Sequence, residues 1–234
     1  KENIITGLIF PVVALGWGIA SFRFQLSQAS GNLAKGEFDK SLTSLAQAKL
    51  GIDEAESIIE SLEVVRKTGI AKSQFDQAES LTSLASSSIT SIQSAIRGVQ
   101  SLYLGLRSTT GDIQGPPFEH FEKANVELGF ADSNLSQALA FLKSEEFRKS
   151  EIPLIKTQLT RLSENLGNFD KLIKKGLAAS IILPKIVSSD KNYLILLQNN
   201  MELRPGGGFI GSYALISFEG GKLKKLEVND IYAI

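Results

Sequence analysis

The sequence predicts a mostly α-helical protein: an N-terminal transmembrane helix, an antiparallel helical bundle, and then the start of a mixed α/β domain. Three observations carry that prediction. Residues Ile4 to Phe22 hold no charge over 19 positions. Four stretches between Leu42 and Ile173 place apolar residues three and four apart, which is the helical period. From Ile181 onward the apolar residues form short unbroken runs separated by glycine-rich turns, the pattern of strands. The expected domains are residues 1–34, 35–180 and 181–234.

The first segment, IITGLIFPVVALGWGIASF, reaches about 28 Å as a helix, close to the ~30 Å of a bilayer core. Trp17 and Phe22, followed by Arg23, have the character of an interfacial anchor. Pro11, Gly7, Gly16 and Gly18 would weaken a helix in water but are tolerated in lipid, where the glycines let a neighbouring span approach closely. The run continues into helix-compatible sequence with no clear cleavage pattern, which argues against a removed signal peptide.

The four helical stripes begin near Leu42, Ala78, Phe118 and Ile152. Each is a single apolar stripe on a polar helix, stable only when buried against neighbours. Gly36, Gly69, the segment from Ser108 to Pro117, and Ser144 as an N-cap mark the breaks; short connections favour antiparallel packing. Pro153 opens or kinks the fourth helix, and the helical region is expected to end at Ile181-Ile182-Leu183-Pro184. The serine-rich face from Ser83 to Ser94 reads as exposed surface, with close approach of another helix as the alternative.

Three strands follow, near 193–198, 209–218 and 223–228. The first, Tyr193-Leu194-Ile195-Leu196-Leu197, is apolar at every position and therefore reads as buried. Glu219-Gly220-Gly221-Lys222 is a hairpin turn. Three strands are too few to close a core, so more elements are expected in a longer parent protein.

The chemically densest stretch runs from Gln198 to Ser212, and its part between the first two strands is expected to be a loop. The candidate ligand-binding residues are Asn199, Asn200, Glu202, Arg204, Gly206, Gly207 and Gly208. Arg204 with the glycine amides could hold an anion, because successive free N–H groups form a nest. The structural alternative has these side chains satisfying the loop's own backbone. Gly206, Gly208 and Gly211 have the G-x-G-x-x-G spacing, but strand-like sequence follows where a dinucleotide fingerprint needs a helix.

Composition narrows the chemistry further. The balance of 25 basic and 25 acidic residues argues against a dedicated nucleic-acid binder. With no cysteine and one histidine, no thiolate or multi-histidine metal site can form, and no metal or cofactor is expected. His120, between Phe118 and Phe121, reads as a capping or surface residue. The acid pairs Asp53-Glu54 and Glu145-Glu146 read as solvated helix faces, and no catalytic residues are assigned.

The run from Asn192 to Ser212, NYLILLQNNMELRPGGGFIGS, resembles the opening of the bacterial family known as domain of unknown function 4012. Gly206 departs from that pattern, which more often has threonine or another residue before the paired glycines. The resemblance implies a single-pass protein of the bacterial cytoplasmic membrane with an extracytoplasmic ectodomain. Its expected role is structural or interactive, with the bilayer and envelope or membrane-complex proteins as partners. It also suggests a distant likeness to the LytR-CpsA-Psr ligases. The alternative is therefore an envelope glycopolymer transferase holding an anionic glycan or lipid-linked substrate at Arg204.

Overall fold

The computed structural model describes residues 24, 25, 27–63, 67, 72–143, 153–188, 190–205 and 207–233. Four long helices, α1 (Phe38–Ser61), α2 (Lys72–Thr110), α3 (Pro117–Lys143) and α4 (Pro153–Val187), are followed by a three-stranded antiparallel sheet. Its strands are β1 (Asn192–Arg204), β2 (Gly207–Glu219) and β3 (Lys222–Asp230), in the order β1-β2-β3, and a 3-10 turn, Ile231–Ala233, ends the chain's described part. Residues 27–34 form a further helical segment before α1, closed by Gly36 at φ 74°. Among the described residues no helix is long and apolar enough to cross a membrane. The predicted span from Ile4 to Phe22, with Gly7, Gly16, Gly18, Trp17, Phe22 and Arg23, lies outside the described residues, as do Gly69, Ser144 and Glu145-Glu146.

The chain divides into two compact units, one of residues Lys1–Arg97 and Glu127–Lys175, the other of Gly98–Val126 and Gly176–Ile234. The core of the first gathers Ala29, Leu45, Ala48, Ile52, Ile89 and Ile96. Lys49 donates to Ser86 between α1 and α2. Ser91 of α2 donates its hydroxyl to the carbonyl of Ala131 in α3 at 2.7 Å, and Ser41 of α1 reaches the carbonyl of Ala29 at 2.8 Å. Such bonds require the helix backbones to be close, which small side chains permit. Ser91 and Ser94 are accordingly buried, so the expectation of a plainly exposed serine face fails there. Two further hydroxyls bond locally, Ser88 and Thr90 donating to the carbonyls of Leu84 and Ser86 one turn back.

On α3 the middle of the predicted stripe, Phe121, Leu128, Ala131, Leu135 and Ala138, is buried together with Ala124, and its ends Phe118 and Leu142 are half-buried. Its steps of three and four are those of a helix seated in a bundle.

In the second unit α2 departs from its pattern. Val99, Tyr103 and Leu106 continue the apolar stripe yet are exposed, while Gly98, Ser101, Gly105, Ser108 and Thr109 are buried. Phe121 is the reason. Its ring carbons lie 2.6 Å from where a Cβ on Gly105 would stand, so only the glycine face of α2 can receive that fully buried ring. Ser108 closes the α2–α3 connection by donating to the carbonyl of Gly115.

Helix α4 runs to Val187 and so overruns its expected end at residues 181–184, carrying Pro184 in its last turn. Pro184 lacks the N–H that would reach the carbonyl of Ser180, yet the helix continues to Val187 and Ser188 donates its N–H to the Pro184 carbonyl at 2.8 Å. Ser180 of α4 faces Asn125 of α3, its hydroxyl 3.4 Å from Oδ1. The sheet is anchored in the same unit, where Tyr193 donates its hydroxyl to the carbonyl of Ile186 at 2.9 Å and stacks edge-on against Phe218. At the β2–β3 turn both glycines have positive φ, 56° and 83°, as a tight two-residue hairpin requires, and Gly221 lies against Pro117 and Phe118.

The strands are longer than predicted. Residues Asn199 to Arg204 and Gly207 to Gly208, which lie between the predicted strands and were expected to be a loop, belong to β1 and β2. The strand β1 is also not buried. Leu194, Ile195, Leu196 and Leu197 are between 43 and 60% exposed, because no described element covers either face of the sheet there.

Candidate functional site

The candidate residues gather at the distal end of the β1–β2 hairpin. Regular pairing runs from Asn192↔Ser217 to Leu197↔Ser212, shifts by one residue, continues through Gln198↔Ile210 and Asn199↔Phe209, and resumes at Arg204↔Gly207. Four residues of β1, Asn200 to Leu203, therefore oppose Gly208 alone. This excess forces a projecting bulge. Met201 at its crest is 87% exposed, and Asn199, Asn200 and Glu202 are exposed beside it.

The bulge is held by its own amides. Asn199 accepts from the backbone N–H of Met201 through Oδ1 at 3.1 Å, and Gln198 donates through Nε2 to the carbonyl of Gly208 at 3.1 Å. A Cβ on Gly208 would collide with the backbone of Asn199 and Asn200, and one on Gly207, at φ 117°, would strike the Gln198 amide. The glycines are thus needed where the strands come closest. Arg204 closes the hairpin opposite Gly207, while Gly206 lies outside the described residues.

The structure brings Asn199, Asn200, Glu202, Arg204, Gly207 and Gly208 into one hairpin tip. That tip is a protrusion, and its mapped polar contacts are hydrogen bonds within the hairpin. Neighbouring it, Phe209 of β2 approaches Tyr232 of the 3-10 turn, ring centres 6.2 Å apart.

Residues 188–233 match the family model described as Protein of unknown function (DUF4012). The DUF4012 match starts where α4 ends and takes in all three strands and the 3-10 turn. It bears out the resemblance read from Asn192 to Ser212, and the hairpin tip falls wholly inside it. No curated protein and no solved structure matches the chain.

Away from the sheet, a cleft of about 410 Å³ in the first unit is lined by Glu56, Glu60, Glu63 and Glu79 with Thr82. Its acids come from α1, the residues just after it and α2, so sequence spacing could not show them converging. Among the described residues no group of three or more histidines or carboxylates is arranged to hold a metal ion. His120 is half-buried on α3, away from these groups in sequence.

Proposed function

We propose that the chain is a membrane-anchored protein of the bacterial cell envelope whose work is to hold protein partners. Its span is the uncharged segment Ile4 to Phe22, its helices form the binding scaffold, and its sheet begins a mixed α/β ectodomain outside the cytoplasm. The observation that carries the interaction role is the outward stripe on α2. Val99, Tyr103 and Leu106 lie one helical turn apart and exposed, with the Arg107 guanidinium 5.8 Å over the Tyr103 ring. An exposed apolar row with an aromatic and an arginine has the composition of a protein interface. The occupant that fits is an amphipathic helix from another subunit of an envelope or membrane complex.

The test is purification of the protein from its native membrane in mild detergent, with mass analysis of what stays bound. A partner protein at fixed stoichiometry, lost from the double variant Tyr103→Ala with Leu106→Ala, is the expected outcome. A monomer that instead carries a lipid-linked phosphate or sugar, released by Arg204→Ala, would replace this reading with the transferase alternative.

A further inference from the structure

The first turns of α3 meet two glycines from distant parts of the chain. The fully buried Phe121 ring fills the space over Gly105 of α2, where a Cβ would stand 2.6 Å from it. Gly221 of the β2–β3 turn lies against Phe118 and Pro117, where a Cβ would stand 2.8 and 2.9 Å from them. Pro117, Phe118 and Phe121 are three and four residues apart at most and so share a face of α3. Pro117 and both glycines are buried as well. Enclosed groups cannot withdraw into water, and a close-packed interior compresses little and passes displacement on. Ser108 of α2 ties the corner further by donating to the carbonyl of Gly115 at 2.6 Å, two residues before Pro117.

The sheet is fastened to the helices at this same end. Tyr193, near the start of β1, donates to the carbonyl of Ile186 in α4 and meets Phe218 edge-on, while the Phe218 N–H donates to the carbonyl of Lys191 at 3.3 Å. The pairs Asn192↔Ser217 and Glu219↔Lys222 mark this end of the ladders, and Arg204↔Gly207 marks the far end. Between them β2 spans 13 residues, about 40 Å of strand. All of these residues belong to one compact unit.

We infer that the α2–α3 corner is a coupling device that sets the tilt of the family-matched sheet on its helices. A shift of the start of α3 relative to α2 is handed through Pro117 and Phe118 to Gly221, with the Tyr193 bond to Ile186 as the pivot. A tilt of about 5° on an arm of about 40 Å carries the hairpin tip through roughly 3 Å. The contacts that do this are already made, so further elements joined to the sheet would move with it. Neither a membrane anchor nor a partner on α2 is required.

The chain holds no cysteine, so a pair of spin labels can be placed without removing any native thiol. Val99→Cys on α2 and Met201→Cys at the tip are both exposed, and pulsed electron spin resonance on the purified, doubly labelled protein reads the distance between them. Gly105→Ala, which pushes on Phe121, should move the mean distance by about 3 Å or more. Gly129→Ala on α3, whose Cβ meets nothing within 4 Å, should leave it unchanged. In a Phe118→Ala background, where the path to Gly221 is weakened, Gly105→Ala should move the distance by less than half as much. Should circular dichroism show that Gly105→Ala misfolds, Phe121→Leu takes its place and should shift the distance by withdrawing the ring. An unmoved distance in the folded variant, an equal shift with Gly129→Ala, or a shift that persists in full beside Phe118→Ala would overturn the inference.

Discussion

Gly208 and Gly211 look alike in the sequence but sit in different surroundings. A Cβ on Gly208 would penetrate the backbone of Asn199 and Asn200, whereas one on Gly211 would meet the Phe209 ring at 3.6 Å, an ordinary contact. Gly208→Ala should therefore destabilise the hairpin by about 1–3 kcal/mol, and Gly211→Ala by well under half of that, measured by denaturant unfolding. Lys224 shows a second residue-level effect. Its hydrogen bond to the Glu219 carboxylate, and then the charge of that group, raise its pKa above the ordinary 10.5. A raised lysine pKa means the pair's contribution is complete below pH 10.5 and is lost as pH rises through the folded value. The difference in melting temperature between the protein and Glu219→Gln should hence stay constant from pH 7 to about 9 and shrink above about 10.5. Glycine identity is plain in the sequence. Which glycine is indispensable depends on what lies across the strand.

At the scale of elements, the decisive feature is the face α2 turns inward. The stripe Ile89, Ile92, Ile96, Val99, Tyr103, Leu106 is continuous by period, and the sequence alone would bury all of it. The structure buries its first part and, past Arg97, the row Gly98, Ser101, Gly105 and Ser108 instead. The exchange follows from one side chain, because Phe121 fills the space that Gly105 leaves open. Gly105→Ala should cost about 1–3 kcal/mol by overpacking, despite alanine's better helix propensity, in thermal or denaturant unfolding. Combining it with Phe121→Leu should cost less than the sum of the two single changes, since both act on one contact. Residues such as Phe121 and Gly105 were visible as aromatic and glycine, but their pairing links positions 16 apart on different helices.

At the scale of the whole molecule, α1 and α3 bury most of their stripes while the sheet leaves aliphatic side chains in water. Leu194 and Leu196 are solvent-exposed neighbours on one face. Changing both to serine should alter unfolding free energy by no more than about 0.5 kcal/mol, as for other exposed sites. The same variant should lower the binding of a hydrophobic dye such as anilinonaphthalene sulfonate and reduce concentration-dependent light scattering. A marked loss of stability would instead show that these leucines are covered in solution.

The type and order of the four long helices and three strands were legible in the sequence. Helical period, turn glycines and the strand-like C-terminal runs are local signals, set within one or two turns of chain. The sequence also carried the family resemblance, since the run from Asn192 to Ser212 lies inside the matched residues. Packing set what the local pattern left open: that α4 passes through Pro184 to Val187, that the glycine-rich stretch is a bulged hairpin, that Ser91 and Ser94 are interior, and that β1 is exposed among the described residues. These depend on what packs against what. A serine is buried where another backbone comes near, and an apolar strand is exposed where no second layer covers it.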